Sequence, residues 1–435
     1  MRKTLERYFE FQQLNATWRT EILAGATTFV TMAYIVFVNA SILADAGMPI
    51  PAVMAATCAS AGFASILMGA FARYPIALAP GMGLNAYFTY TVVKGMGVSW
   101  QVALGAVFLS GLAFLLLTVA GVREKLFTSL PHELYPAVAV GIGLFIAFIG
   151  FRNAGLIVPD AATTVTLGNL RDPHTLLAVG GLLLMAGLQA RGVRAAILIG
   201  ILAVTLTSAA LGLTPWTPRY YSLREISATA FQLDIAGALR LGLLEILFVF
   251  LFVDLFDNLG TLVAVSKKAG LMNRRGEIPR LNRILLTDAT ATMAGAFAGT
   301  STVVSYIEST AGIVAGGRTG VTAITTGLLF LVLLFMAPLA GAVPNAATAP
   351  ALILVGAAML SHVSEVPWDD PVVAVPAFLT LTTIPLSFSI ANGLAVGFTS
   401  YALLKLVAGR GREVSWLVWL LAVLFMLRFA YLGKG

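Results

Sequence analysis

Gly-Thr-Ser-Thr-Val-Val-Ser-Tyr-Ile-Glu-Ser-Thr-Ala-Gly, residues 299–312, is a short polar stretch set into apolar sequence. It follows Gly-Ala-Phe-Ala (295–298). The same tetrapeptide at 69–72 precedes a second such stretch, Arg-Tyr-Pro-Ile-Ala-Leu-Ala-Pro-Gly-Met-Gly-Leu-Asn-Ala-Tyr (73–87). A constant offset of 226 residues superposes the two and places Glu308 opposite Met82, three residues from the partner of Asn85. Matched interruptions in two halves of a membrane protein are the strongest sequence pointer to a transporter's binding site.

The rest of the chain supplies the membrane. Of 435 residues, 59% are hydrophobic and 11% charged, against about 25% charged in soluble domains. Apolar stretches long enough to cross a bilayer as helices recur from end to end. The expected class is an all-α polytopic membrane protein without a sizeable soluble domain. The single Cys58 excludes an intrachain disulfide and makes thiolate metal sites improbable. A net charge of +7 sits mostly in short connectors, where orientation signals lie, and suggests no nucleic acid partner.

Fourteen segments are expected, at 22–44, 51–72, 75–93, 99–121, 134–151, 174–190, 195–213, 241–266, 281–298, 300–315, 321–340, 344–361, 371–386 and 388–408. Two of them are discontinuous, each a short strand followed by a half-helix. Residues 1–21 are charged and lack a signal-peptide pattern, so they read as a cytoplasmic surface helix. With that end inside, Arg73, Arg123, Lys125, Arg191, Arg194, the run Lys267 to Arg283, Arg318 and the run Lys405 to Arg412 fall in inside loops. Lys94 is the exception among the short outside loops. Seven spans per half is odd, so the halves would run in opposite directions as a 7+7 inverted repeat. The stretch 414–435 is apolar, with two Trp residues and Arg428, and suits an interfacial helix.

Ionisable groups inside spans are costly and are functional candidates. Those lying deep are Asp254, Asp257, Asp288 and Glu308. Asp254, Asp257, Asn258 and Thr261 stand at i, i+3, i+4 and i+7 and form one polar stripe on an apolar helix. Such a stripe faces a cavity or the bundle interior. Two carboxylates one turn apart suit proton uptake, whereas amides alone would suit helix–helix hydrogen bonding. Asp288 either caps or bridges helices near the inside face, or belongs to a proton route.

Residues 299–306 favour extended backbone, with a half-helix starting near Tyr306 or Ile307. Residues 74–80 should likewise be extended, with a helix from about Met82. Irregular backbone at membrane depth must be buried or line a cavity. Two such strands could pair and bring both half-helix starts together. Helix-start N–H groups would then face a ligand's acceptors. Asn85, Ser309 and Thr310 occupy those first turns, and local capping is the alternative role for Asn85 and Glu308. His132, His174 and His362 lie near span ends without metal-ligand spacing.

At these residues the chain resembles the guanine/hypoxanthine (AzgA-like) branch of the nucleobase–cation symporters, within the xanthine/uracil permease superfamily. The likeness rests on residues 24–35 (Ala-Gly-Ala-Thr-Thr-Phe-Val-Thr-Met-Ala-Tyr-Ile), 79–88 (Ala-Pro-Gly-Met-Gly-Leu-Asn-Ala-Tyr-Phe), 254–262 (Asp-Leu-Phe-Asp-Asn-Leu-Gly-Thr-Leu) and 299–312. The resemblance implies a core domain (22–121 and 241–340) carrying the site and a gate domain (134–213 and 344–408). It further implies a homodimer in the plasma (inner) membrane. Carried over, Glu308 and Asp254 bind the base, with Asp257 nearby and Asn85 from the third span. Uracil and xanthine carriers tend to carry Glu and His where this chain has Asp254 and Asn258, which favours purine bases.

A purine base presents N–H donors and ring acceptors that a carboxylate and helix-start N–H groups can meet. Tyr34, Tyr306 and Phe88 are candidates to stack on it. The coupling ion implied is the proton, through Asp257, Asp254, Glu308 and Asp288, although Asp and Thr ligands could also suit sodium. No metal or organic cofactor is expected. Competing readings are an anion carrier of the sulfate-permease type, whose substrate the carboxylates would repel, and an intramembrane hydrolase, whose motifs are missing. A channel and a uracil or xanthine permease complete the alternatives.

Overall fold

The structure is a computed structural model that describes residues 2–121, 131–214, 223–240, 244–273, 278–335 and 343–431. In chain order its elements begin with α1 (Arg2–Tyr8), α2 (Trp18–Met32), α3 (Tyr34–Ala44), α4 (Ile50–Leu67), β1 (Leu78–Pro80), α5 (Met82–Ala86) and α6 (Trp100–Val119). There follow α7 (Tyr135–Asn153), β2 (Ile157–Asp160), β3 (Thr164–Leu167), α8 (Pro173–Ala190), α9 (Ala196–Ala210), α10 (Leu223–Ile226), α11 (Ile235–Arg240) and α12 (Leu244–Ala269). The last third holds α13 (Leu281–Ala298), β4 (Val303–Ser305), α14 (Ser309–Val314), α15 (Gly320–Leu333), α16 (Asn345–Met359), α17 (Pro371–Leu386), α18 (Ile390–Val407) and α19 (Trp416–Tyr431). Among the described residues, seven helices are long and apolar enough to cross a bilayer by length and composition. The first of these, Trp18–Ala44, joins α2 and α3 across Ala33.

Contacts divide the chain into two compact units, residues 1–118 with 153–351, and residues 119–152 with 352–435. In the first, α15 packs against α2 and α4 through small residues. Thr326 donates to the Gly25 carbonyl at 3.0 Å. A side chain on Gly62 would meet Leu331, and one on Gly69 would meet the Gly320 carbonyl. With no hydrophobic force between helices inside lipid, such close backbone approach provides the dispersion that holds them.

Glu21 departs from its expected place in a charged surface segment: it is fully buried in the first turn of α2. Its carboxylate accepts from Arg318 N at 2.9 Å, Thr319 N at 3.2 Å and the Thr322 hydroxyl at 2.6 Å. It thus takes up N–H groups that the start of α15 leaves unpaired within the helix. Glu21→Leu would strand these donors in the interior, at about 1–3 kcal/mol for each unsatisfied group. The expected outcome is a clear fall in melting temperature in detergent, read by intrinsic fluorescence.

Residues 152–173, expected to be a loop, contain the antiparallel hairpin β2–β3 with Ile157 opposite Leu167. Asp160 organises its turn, accepting from Ala162 N and Thr163 N, each at 2.9 Å.

In the second unit, Gly393 and Gly397 of α18 lie against Ile384 and Thr380 of α17. Phe388 between these helices packs edge-on to Phe145 and Phe148 of α7. Lys405 is buried, and its ammonium bonds Glu413 at 2.7 Å. Arg410 and Lys405 together hold the Glu413 carboxyl down at about 2. Residues 416–431 form a helix, α19, packed on α18.

Candidate functional site

The two interrupted stretches meet. Strands β1 and β4 pair antiparallel with Leu78 opposite Ser305, Ala79 opposite Val304 and Pro80 opposite Val303. Gly81 N donates to Thr302 O at 2.9 Å and Tyr306 N to Ala77 O at 3.0 Å, extending the ladder at both ends. A two-stranded ribbon has two open edges, and buried backbone groups need partners. Side chains supply them. Ser65 Oγ accepts from Leu78 N and Ser309 Oγ from Ala77 N, both at 3.0 Å. Asn258 Oδ1 accepts from Ser305 N at 3.3 Å, and the Thr292 hydroxyl donates to Val303 O at 3.1 Å. Pro80 has no N–H to satisfy, and its carbonyl accepts from the Tyr306 hydroxyl.

Each strand leads into a helix. The first runs from Met82 through α5 and on as a π-helix to Gly95. The second begins with a turn in which Ser309 N, Thr310 N and Ala311 N donate to Tyr306, Ile307 and Glu308 carbonyls. It continues as α14. Neither start carries a side-chain cap.

Glu308 is the N-cap residue of α14, in helical conformation. Its Oε1 accepts from the Tyr34 hydroxyl at 2.7 Å, and its Oε2 is buried without a hydrogen-bond partner. Asn85, on α5, is fully buried, and both atoms of its amide lack partners. Asn258 is fully buried too, with Nδ2 unpartnered because Oδ1 is committed to Ser305 N. Asp254 lies one turn before Asn258 on the same helix, also fully buried. Helix α12 packs against β4, α14 and α5, and Asn258 of its stripe reaches β4 at Ser305 N. Asp257 belongs to α12, and its side chain lies outside the described residues.

The remaining expected residues have definite surroundings. Tyr34 is 1% exposed, and its hydroxyl is spent on Glu308. Phe88 is fully buried in the π-helical turn, next to Tyr87, which packs edge-on to Phe250 at 5.1 Å. The Tyr306 and Ser309 hydroxyls are committed to the first stretch. Thr310 is partly exposed. Asp288 is buried on α13, one turn before Thr292, which bonds β4.

Sequence reasoning passed over Asn39. Its Nδ2 donates to Thr57 Oγ1 at 2.7 Å and Thr300 Oγ1 at 2.9 Å, and it is fully buried. A lone amide within Val-Phe-Val-Asn-Ala (36–40) was a usable signal. Ser301, Thr302 and Ser305 carry further buried hydroxyls without partners.

Unpaired buried polar atoms cost about 1–3 kcal/mol each, and each calls for an explanation, a bound ligand or water among them. Beside those hydroxyls they include a carboxylate oxygen, a whole amide and an amide NH₂. That set suits a small ligand with N–H donors and lone-pair acceptors together. No group of three or more His, Cys, Asp or Glu suited to a metal ion occurs among the described residues.

A xanthine/uracil permease model, described as "Permease family", matches residues 19–396. The putative permease MJ0326 of Methanocaldococcus jannaschii is 53% identical, over 99% of both chains. The adenine permease AdeP of Escherichia coli is 45% identical, over 98% of this chain and 96% of its own. The guanine/hypoxanthine permease PbuG of Bacillus subtilis is 42% identical, over 98% of this chain and 100% of its own. Among solved structures, the transmembrane domain of a cyanobacterium bicarbonate transporter, BicA, superposes with a TM-score of 0.64. It is 16% identical, and the match covers 86% of this chain and 97% of that one. The anion transporter Slc26a9 from mouse gives 0.66 at 12% identity, over 90% and 69%. These two share the fold.

Proposed function

The chain belongs to the xanthine/uracil permease family, in its guanine/hypoxanthine branch, and from this we propose that it imports purine bases by proton-driven alternating access. It is a multi-pass membrane protein among nucleobase permeases. Hypoxanthine, guanine and adenine are the proposed substrates, because relatives named for all three align over nearly the whole chain. The observations that carry the reading are the unpartnered Glu308 Oε2 at the start of α14 and the unpartnered Asn85 amide on α5, each on a helix that follows one strand of the pair. Glu308 accepts a ring N–H of the base, and Asn85 meets a donor and an acceptor on its edge. Asp254, with Asp257 one turn on, takes up the coupling proton.

Secondary transporters with alternating access are commonly built from inverted repeats, and a 7+7 repeat is the proposed scaffold. The 226-residue offset supports it: it carries the pair Leu78–Ser305 onto Val304 and Ala79, the adjacent pair of the same ladder. A pseudo-twofold axis through the strand pair would do this. We place the N-terminus in the cytoplasm and the protein in the inner membrane, as a homodimer.

An anion carrier is the second reading, favoured by the fold shared with BicA and Slc26a9. An unpartnered carboxylate oxygen at the site opposes it, since it would repel an anion. Uptake of labelled hypoxanthine into proteoliposomes, with and without an inward proton gradient, tests the proposal. Competition by adenine, guanine, xanthine and uracil ranks the substrates. Gradient-driven accumulation blocked by purines is expected; bicarbonate or sulfate uptake with no response to bases would favour the second reading.

One variant separates binding from coupling. Asp257→Asn is expected to retain exchange of internal for external base while losing most accumulation against a gradient. Equal accumulation by variant and wild type would remove Asp257 from the proton route.

A further inference from the structure

We propose that Tyr34 is the positioning residue for Glu308, acting through its hydroxyl rather than by stacking its ring on the ligand. The inference rests on the reading of Glu308 as the base-binding carboxylate.

One helix grips the 299–312 stretch at two points. From α3, Asn39 Nδ2 reaches Thr300 Oγ1 at 2.9 Å, before β4, and Tyr34 OH reaches Glu308 Oε1 at 2.7 Å, after it. Asn39 is tied in turn to Thr57 of α4 at 2.7 Å. The strand between these points is therefore held from the same side at both ends. Beneath it, α14 lies directly on α2: a side chain on Gly312 would meet the Thr28 hydroxyl and the Ala24 carbonyl. Tyr34 begins α3 just past Ala33, where α2 ends. It sits at the joint between the helix under α14 and the helix that grips the strand.

The chemistry follows from the two oxygens. A carboxylate tied at neither oxygen turns freely about its last torsion, a broad two-fold rotor. The phenol O–H fixes Oε1 and so aims Oε2, the atom left without a protein partner. A donor on Oε1 also means that a proton taken up by Glu308 resides on Oε2. The ligand therefore meets a single defined oxygen, acceptor when ionised and donor when protonated. The observed contact of Tyr34 with the site is made by its hydroxyl, at the carboxylate.

Tyr34→Phe is the discriminating change, because it keeps the ring and removes only the hydroxyl. The experiment is equilibrium binding of labelled hypoxanthine to the purified full-length protein in detergent, with melting temperature measured in parallel. Hydrogen bonds to charged groups are about twice as strong as neutral ones, so Y34F should raise Kd about tenfold while melting within about 3 °C of wild type. In a Glu308→Asp background, where the shortened carboxylate no longer reaches the phenol, the same change should alter Kd less than about twofold. A Y34F protein that binds like wild type overturns the inference and leaves the function standing. So does an effect of equal size in both backgrounds. A markedly lower melting temperature with unchanged Kd for the folded fraction makes the hydroxyl merely structural, which also overturns it. If the wild type binds no purine base, the functional reading fails first, and this inference fails with it.

Discussion

Glu308→Gln protein is expected to bind no purine base and to transport none. The change is nearly isosteric, so the strand pair and α14 should persist. What changes is the chemistry at one atom. The Tyr34 hydroxyl orients the amide with its carbonyl oxygen toward Tyr34, because that oxygen is the better acceptor. The NH₂ then occupies the position of Oε2, the atom without a partner in the protein. A ring N–H of the base would face a donor instead of an acceptor. Losing a charge-assisted bond costs about 1.5–3 kcal/mol, and leaving a buried donor unsatisfied adds about 1–3. Together these weaken binding by at least about a hundredfold. Isothermal titration with hypoxanthine reads the first effect and proteoliposome uptake the second. Near-normal binding would place the base elsewhere and remove Glu308 from the site.

Gly320→Val is expected to prevent recovery of folded protein. Gly320 begins α15 and faces Gly69 of α4's π-helical end, and a Cβ on either would overlap the other's carbonyl oxygen. The obstacle is backbone on both sides, so no rotamer relieves it. Overpacking alone costs about 1–3 kcal/mol. Separating the helices would also weaken the Glu21 cap on Thr319 and the Thr326–Gly25 bond. Size-exclusion profiles after extraction should show aggregate in place of a single peak. Gly180→Ala is the control, since a Cβ there has nothing within 4 Å and should leave the profile unchanged. A folded, active Gly320→Val protein would mean that α4 and α15 can separate without loss.

Both predictions depend on residues far apart in the chain, and this separates what was readable in advance from what was not. The broken segments were readable. Pro80, Gly81 and the β-branched run before Tyr306 marked extended backbone followed by helix, and the strands fall at Leu78–Pro80 and Val303–Ser305. The start at Met82 agrees with expectation, and the second turn begins at Tyr306, with regular helix from Ser309. The stripe on α12 was also readable, since Asp254 and Asn258 are one turn apart and buried.

Other features escaped. The hairpin at 157–167 lies in a stretch with no strong alternation of polar and apolar residues. Glu21 carried the charge of its neighbours and was grouped with them. Only the start of α15, nearly 300 residues later, explains its burial. On sequence alone Tyr34 is a candidate stacking ring, because an aromatic near a flat ligand invites that role. Its hydroxyl partner is 274 positions away. Ser309 and Tyr306 are candidate ligand residues on sequence alone, and their hydroxyls complete the edges of the first strand.

That the chain spans a membrane, where its helices break, and which carboxylates and amides it sets within apolar stretches are all legible in the order of residues. These follow from composition, periodicity and backbone preference, all local in the chain. Which of those groups are spent on one another depends on packing between distant segments. Asn258 and Asn85 are both buried amides, yet one is half committed to Ser305 and the other has both atoms unpaired. Hydrogen bonding is short-ranged and directional, so that choice depends on atoms brought within about 3 Å by packing, and no local pattern records them.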